Sequence, residues 1–306
     1  MLLKERKIPN NLQLRRYLKP RIAFTEGQLK KLLTDEKGFE GECKFDELIA
    51  RSPASTYLQL NDLFLEWRNT TFQIDSSLIT PHKVYLFDVK NYEGEFYIEG
   101  NRWYYSSGYE IKNPILQLQR SESLLTPLIQ SLGINLPIES KIVFVNPNFT
   151  LFQANRLLPI ILPTQVNSLL KSFGSVSMKS SGHLVKSAKE LALLHNDKTP
   201  FDNMHIPEYA YESLNKGVSC CGCGSLAVHV NGRVLMCKRC RAIEKLHTGI
   251  MRTVEEHRVL FPKRFLTVSE AIEWCRLDLN KLRMQKILKE HLVMVEGGKS
   301  TYYRFE

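Results

Sequence analysis

Apolar positions change period several times along the chain. Residues 26–37, EGQLKKLLTDEK, have helical spacing. A second helix is predicted from Gly38 to Ala50, with Phe39, Cys43, Leu48 and Ile49 on its buried side. RSPAS interrupts at 51–55, and TYLQLNDLFLEW at 56–67 has strand-like spacing. Two more strands are predicted at 71–80 and 83–90, then a hairpin in EGEFYIEGNRWYYSSG that turns at Glu99-Gly100-Asn101. Asn113-Pro114 opens a helix over 114–132 that ends near Gly133, and SKIVFVNP forms a short apolar strand. Helices first, then a run of strands, then one helix and one strand, predict an α/β sandwich and not an alternating doubly wound sheet.

The character shifts after Phe152. LLPIILPTQVNSLLKSF is punctuated by proline, GHLVKSAKELALLHN forms an amphipathic helix, and DKTPFDNMHIPEY reads as a linker. The predicted division is a first domain over 1–152, a helical connector over 153–212, a cysteine module over 217–245 and a final module over 250–306.

One predicted strand breaks the pattern. Val84, Tyr85, Leu86 and Phe87 form the continuous apolar run of a strand covered on both faces. Asp88 and Lys90 then share one face, because side chains alternate. Asp75 lies on the preceding strand, and a turn at Thr80-Pro81-His82 brings it beside Asp88. Two close carboxylates repel unless a cation lies between them, and Mg²⁺ commonly takes one or two carboxylates plus water and phosphate. A neighbouring lysine would position water and offset developing charge. The competing reading is an ordinary ion pair at a solvated strand end.

Composition favours a nucleic-acid partner without proving one. The 306 residues carry a formal net charge of +10. No apolar run reaches the roughly 18 residues of a membrane span. The basic start MLLKERKIPNNLQLRRYLKPR lacks a signal-peptide core, so a cytoplasmic location and no membrane partner are expected.

Five of the seven cysteines fall in SCCGCGSLAVHVNGRVLMCKRCRA, which in a cytosolic chain favours metal over disulfides. Cys220-x2-Cys223 and Cys237-x2-Cys240 flank a predicted hairpin that turns at Asn231-Gly232, as in a zinc ribbon. Four thiolates close a tetrahedral Zn²⁺ site, so this zinc would be structural. Cys221 competes with Cys220, which has the better spacing, and His229 is an outside candidate. The module is read either as a folding staple or as a nucleic-acid surface, with Lys238, Arg239, Arg241 and Arg233 meeting phosphates.

At the C-terminus Thr267 and Glu270 form a capping-box pattern. Helices are predicted over 268–276 and 280–290, and LVMVEGGKSTYYRF makes a hairpin at Gly297-Gly298. This order resembles a winged helix. Its second helix offers Lys281, Arg283, Lys286 and Lys289 to DNA, and its wing offers Lys299 and Arg304. Cys275 is expected to be a packed helix residue.

Four motifs in order, GFEGE (38–42), FQIDSSLIT (72–80), FDVKNYEG (87–94) and NPILQ (113–117), resemble the nuclease-related domain family, NERD. The lead-in KERKIPNNLQLRRYL is similar to that of some members, so the resemblance covers roughly 1–150. It implies a restriction-endonuclease-like mixed sheet flanked by helices, with a PD-(D/E)xK active site. By this resemblance Glu42 approaches the metal, Asp75 is the central ligand and Asp88 the second acid. Lys90 is base or electrostatic stabiliser, and Gln117 orients water or phosphate. Position 88 is Asp where the family more often has Glu, and a shorter side chain alters the metal distance.

The expected activity is hydrolysis of DNA phosphodiester bonds with Mg²⁺ or Mn²⁺. The alternatives are a nucleic-acid-binding protein without turnover and a zinc-dependent interaction adaptor.

Overall fold

The computed structural model describes residues 1–51, 57–173, 182–196, 206–297 and 300–305. The chain divides into two compact units. The first comprises Met1–Ile8 and Leu33–Asp202, the second Pro9–Leu32 and Asn203–Glu306. The boundaries therefore run elsewhere than the predicted ones: residues 9–32 join the C-terminal unit, and most of the expected connector joins the first. The proposed linker residues 197–205 lie outside the described residues.

The first unit is built on a six-stranded mixed sheet. In chain order its strands are β1 (Leu2–Lys4), β2 (Leu58–Trp67), β3 (Thr70–Ile79), β4 (Val84–Lys90), β8 (Ile138–Phe144) and β10 (Ile160–Ile161). They lie side by side in the order β1-β2-β3-β4-β8-β10. The β2–β3–β4 meander is antiparallel, and β8 returns parallel to β4. That return needs a crossover, which α3 (Pro114–Ser131) supplies. A second, four-stranded sheet has the order β7-β6-β5-β9, from β5 (Gly94–Glu99), β6 (Arg102–Tyr105), β7 (Glu110–Ile111) and β9 (Phe149–Phe152). Burial follows from this layering. Leu86, Phe96, Trp103, Leu118, Leu125 and Phe144 belong to one core. Phe45, Ile49, Phe87, Val89 and Phe173 form a second. β4 feeds both, as its unbroken apolar run requires.

The two helices expected over 26–50 are a single helix, α2 (Glu26–Ala50). Thr25 and Gln28 make a reciprocal capping box at its start. Gly38 and Gly41 lie inside this helix, where each costs about 1 kcal/mol. Burial of Phe45 and Ile49 offsets that cost. Gly41 has a packing reason: a Cβ there would lie 2.5 Å from the Cβ of Asn91, just beyond β4. Asn91 also donates its side-chain amide to the Lys37 carbonyl at 2.7 Å. The glycine in GFEGE and the asparagine in FDVKNYEG thus hold α2 against the end of β4.

The second unit contains α1 (Asn10–Leu18), the three-stranded sheet β11 (Val228–Asn231), β12 (Val234–Cys237) and β13 (Ile243–Lys245), and helices α6 (Leu246–Leu260), α7 (Val268–Cys275) and α8 (Lys281–His291). The hairpin β14 (Val293–Gly297) and β15 (Ser300–Arg304) follows, with a bridge from Leu266 to Tyr303 as a short third edge. The helices and hairpin follow one another in the order predicted for the C-terminal module. Gly298 of the predicted turn and Lys299, the predicted wing contact, lie outside the described residues. Inside the unit, Arg21 is fully buried, paired with Glu256 at 2.5 Å and set over the Trp274 ring at 4.1 Å.

Gly38 and Gly41 should respond to alanine with opposite signs. Nothing lies within 4 Å of a Cβ at Gly38, so Gly38→Ala should raise urea stability by about 0.5–1 kcal/mol. Gly41→Ala should lower it by about 1–3 kcal/mol through overpacking against Asn91. Equal shifts would show that the contact is not restrictive.

Candidate functional site

The β3–β4 ladder pairs Ile79 with Val84 and runs to Ser76 opposite Phe87. The next facing residues are Asp75 and Asp88, and there the strands part. β2 also skips this level: Asp62 adopts a left-handed conformation (φ 51°), between the pairs Asn61–Ser76 and Leu63–Ile74. On its other side β4 stays paired with β8 as far as Lys90 opposite Phe144. Backbone groups freed by the parting find side-chain partners, as buried peptides must. The Val89 N–H donates to Asp75 Oδ2 at 2.8 Å. The Asp75 carbonyl accepts from Arg6 Nη2 at 2.6 Å.

Asp88 and Lys90 do share one face of β4. Lys90 Nζ donates to Asp88 Oδ1 at 2.8 Å and to Gln117 Oε1 at 3.4 Å, the latter a long bond. Gln117 is exposed on α3, whose start Asn113 fixes by accepting the Ile115 N–H. Asp88 is 7% exposed, and its Oδ2 is buried with no hydrogen-bond donor. Burial, then the charge of Asp75, push the Asp88 carboxyl up to about 7. Burial works to lower Lys90, but Asp88 and Asp75 outweigh it, so the ammonium is held above its ordinary range.

Glu42 reaches this region from α2. Burial and the charge of Asp75 raise its carboxyl to about 8, against the opposing pull of Arg6. Arg6 was not expected in the site. Its side chain, 4% exposed, donates Nη1 to Glu42 Oε2 at 2.5 Å and Nε to Asp46 Oδ2 at 2.8 Å. Asp46 is also new. Its spacing of four from Glu42 puts both on one helical face, a signal available in the sequence. Arg6 gave no such signal, because it lies in a basic run that reads as solvated surface.

The four cysteines converge more tightly. One Sγ each from Cys220, Cys223, Cys237 and Cys240 lie within 4.8 Å of one another. Cys220 and Cys240 Sγ are 3.5 Å apart, Cys223 and Cys237 Sγ 3.7 Å. These distances exceed a disulfide bond of about 2.05 Å and match the roughly 3.8 Å edge of a tetrahedron with Zn–S bonds of about 2.3 Å. Backbone N–H groups of Gly222 and Arg239 point at Cys220 and Cys237 Sγ. Cys221 is exposed outside the cluster, so Cys220 is the better ligand, and His229 does not join it. Among the described residues no other set of three or more such side chains is as close; Glu42, Asp75 and Asp88 do not form one.

The basic candidates in the second unit are not equivalent. Lys238, Arg239, Arg241, Arg233, Lys281, Lys286 and Lys289 are exposed. Arg283 donates to the Gly232 carbonyl at 2.5 Å and so ties α8 to the cysteine-bearing hairpin.

Residues 37–145 match the model of the nuclease-related domain family. No curated protein matches the chain. A crystal structure of protein VC1899 from Vibrio cholerae aligns over 60% of this chain at 13% identity with a TM-score of 0.26; the match spans 51% of that chain, about half its length. Among the described residues no helix is long and apolar enough to cross a membrane. The matched residues 37–145 include Glu42, Asp75, Asp88, Lys90 and Gln117, and the four-cysteine cluster lies beyond them.

Proposed function

We propose that the protein is a divalent-metal-dependent nuclease that hydrolyses DNA phosphodiester bonds. The observation that carries this reading is the meeting of Asp75, Asp88 and Lys90 where β3 and β4 part, with Asp88 Oδ2 buried and without a donor. A buried, unpartnered carboxylate oxygen beside a second carboxylate fits a hard cation. Asp75 and Asp88 would hold Mg²⁺ or Mn²⁺ directly, and Glu42 would contribute directly or through water. Such an ion supplies an activated water and neutralises charge on the phosphate. Lys90, kept as an ammonium between Asp88 and Gln117, faces a phosphate oxygen and offsets the charge that grows on it. Gln117 turns its amide to water or phosphate.

In this reading the cysteine cluster holds one structural Zn²⁺, and the second unit grips DNA. Lys238, Arg239, Arg241, Lys281 and Lys286 supply phosphate contacts, with Arg283 in a positioning role. A non-hydrolytic DNA-binding protein is the second reading. It is favoured by Arg6 already holding Glu42 and by the looser grouping of the three acids.

Three outcomes test these statements. With Mg²⁺ or Mn²⁺ the protein should cut plasmid or linear DNA, and Asp75→Ala or Lys90→Ala should each slow cutting at least about a hundredfold. Unchanged cutting in both variants would exclude the mechanism, and no cutting with either ion would favour the second reading.

A second outcome concerns pH. A carboxyl raised in the folded state adds stability while protonated and loses it once ionised. Without divalent cation, urea stability should therefore fall between about pH 4 and pH 8, the span from the ordinary values of Asp88 and Glu42 to their raised ones. Asp88→Asn should flatten that slope and raise stability at pH 8 by roughly 1–3 kcal/mol.

The third is metal content. Elemental analysis should find one zinc per chain, retained in Cys221→Ser and lost in Cys237→Ser. A zinc-free wild type would refute the cluster's role.

A further inference from the structure

The C-terminal module contains a cavity of about 380 Å³ between the end of α6, the segment 261–266 and β15. It draws on two short sequences, FPKRF (Phe261–Phe265) and YYRF (Tyr302–Phe305), in which aromatic and basic residues interleave. Phe261, Phe265, Tyr302 and Phe305 bring rings to its wall. Phe265 is 67% exposed, although its ring lies 4.7 Å from that of Tyr302. Isolated exposed apolar residues need no explanation, but an exposed ring at the mouth of an aromatic cavity does.

The polar groups differ in how far they are satisfied. Arg258 pairs with Glu255 and lies over Phe305 at 5.1 Å. Arg264 pairs with Glu270 and lies over Tyr211 at 3.7 Å. Arg304, also on the lining, is exposed and has no side-chain acceptor among the described residues. Lys263, exposed in FPKRF, is likewise uncompensated there. Tyr303 is 3% exposed, and its hydroxyl is buried with no partner, a group that normally finds one. The cavity thus offers flat apolar walls and, on its lining, one cation without an acid partner among the described residues, Arg304; the Tyr303 hydroxyl is closed off from it.

A ligand that answers both features has a planar ring and an attached anion. We propose that this cavity captures one nucleotide of single-stranded nucleic acid. The base lies against the aromatic wall, and a flanking phosphate meets Arg304. The volume is within the range of small-ligand sites and suits a single nucleotide. A duplex hides its base faces by stacking and pairing, so only an unpaired base can enter. The site is separate from Asp75, Asp88 and Lys90, and the proposal holds whether or not the nuclease-related domain turns over.

Fluorescence anisotropy with the zinc-loaded full chain and no added Mg²⁺ or Mn²⁺ tests it. The probe is a labelled oligothymidylate of about twelve nucleotides, long enough to pass across one site, with a duplex of equal length as comparison. Phe265→Ala should weaken oligothymidylate binding at least about fivefold, and Phe265→Trp should restore it. Arg304→Ala should reduce the slope of log affinity against log salt by about 0.7. Binding is read without divalent cation and cutting with it, so loss of affinity in Phe265→Ala and loss of cutting in Asp75→Ala are separate readouts, and failure of the catalytic reading stays distinct from failure here. Phe265 is exposed enough that its removal should not unfold the module, and circular dichroism checks this. Unchanged affinity in folded Phe265→Ala would overturn the proposal. So would a duplex that loses as much affinity in Phe265→Ala as the single strand. Displacement by thymidine monophosphate at the same concentration as by the oligonucleotide would reveal a free-nucleotide site and overturn the strand reading.

Discussion

Two carboxylates that face each other where a pair of strands separates are the constraint on which the first unit depends. Asp75 and Asp88 stand at the first level the β3–β4 ladder leaves unpaired. Like charges on facing residues, Asp88 buried and Asp75 partly so, work against the fold, and each element around them limits the cost. Asp75 accepts the N–H that the lost rung leaves on Val89, Lys90 holds one oxygen of Asp88, and Arg6 takes the carbonyl of Asp75. Asp88 Oδ2 is left buried without a donor. Proteins keep such unfavourable arrangements chiefly where they serve chemistry.

Around that point the architecture acts as support. β8 keeps β4 straight to Lys90 after β3 has let go, so the charged face is fixed on one side and open on the other. α3 brings Gln117 to the same end. Gly41 lets α2 approach Asn91, and the approach puts Glu42 within reach of Arg6 and the field of Asp75. The N-terminal segment does more than lead in, because Arg6 links α2 to β3 through one guanidinium.

Much of this was legible before any coordinates. The apolar run of β4 broken by Asp-x-Lys marked a covered strand with a charged end, and the two C-x2-C pairs marked the cysteine cluster. The spacing argument for Cys220 over Cys221 agrees with the geometry. Other features depend on contacts between distant segments, and local pattern is blind to them. The packing role of Gly41 was hidden because propensity counts the residue and not its neighbour Asn91. Arg6 looked like surface charge because nothing in a basic run tells which cation is buried. The division at 152 followed proline content, whereas β10 and the helices near it pack with the first unit's sheet. Arg283 looked like a free DNA contact, but it holds the hairpin carbonyl at Gly232.

The central claim is that Asp75 and Asp88 together hold a hard cation. Manganese soaked into crystals of the full chain tests it most directly, through anomalous scattering at the manganese edge. The account predicts a single strong peak bounded by the carboxylates of Asp75 and Asp88. Ordered side chains with no peak between them at saturating manganese would contradict it.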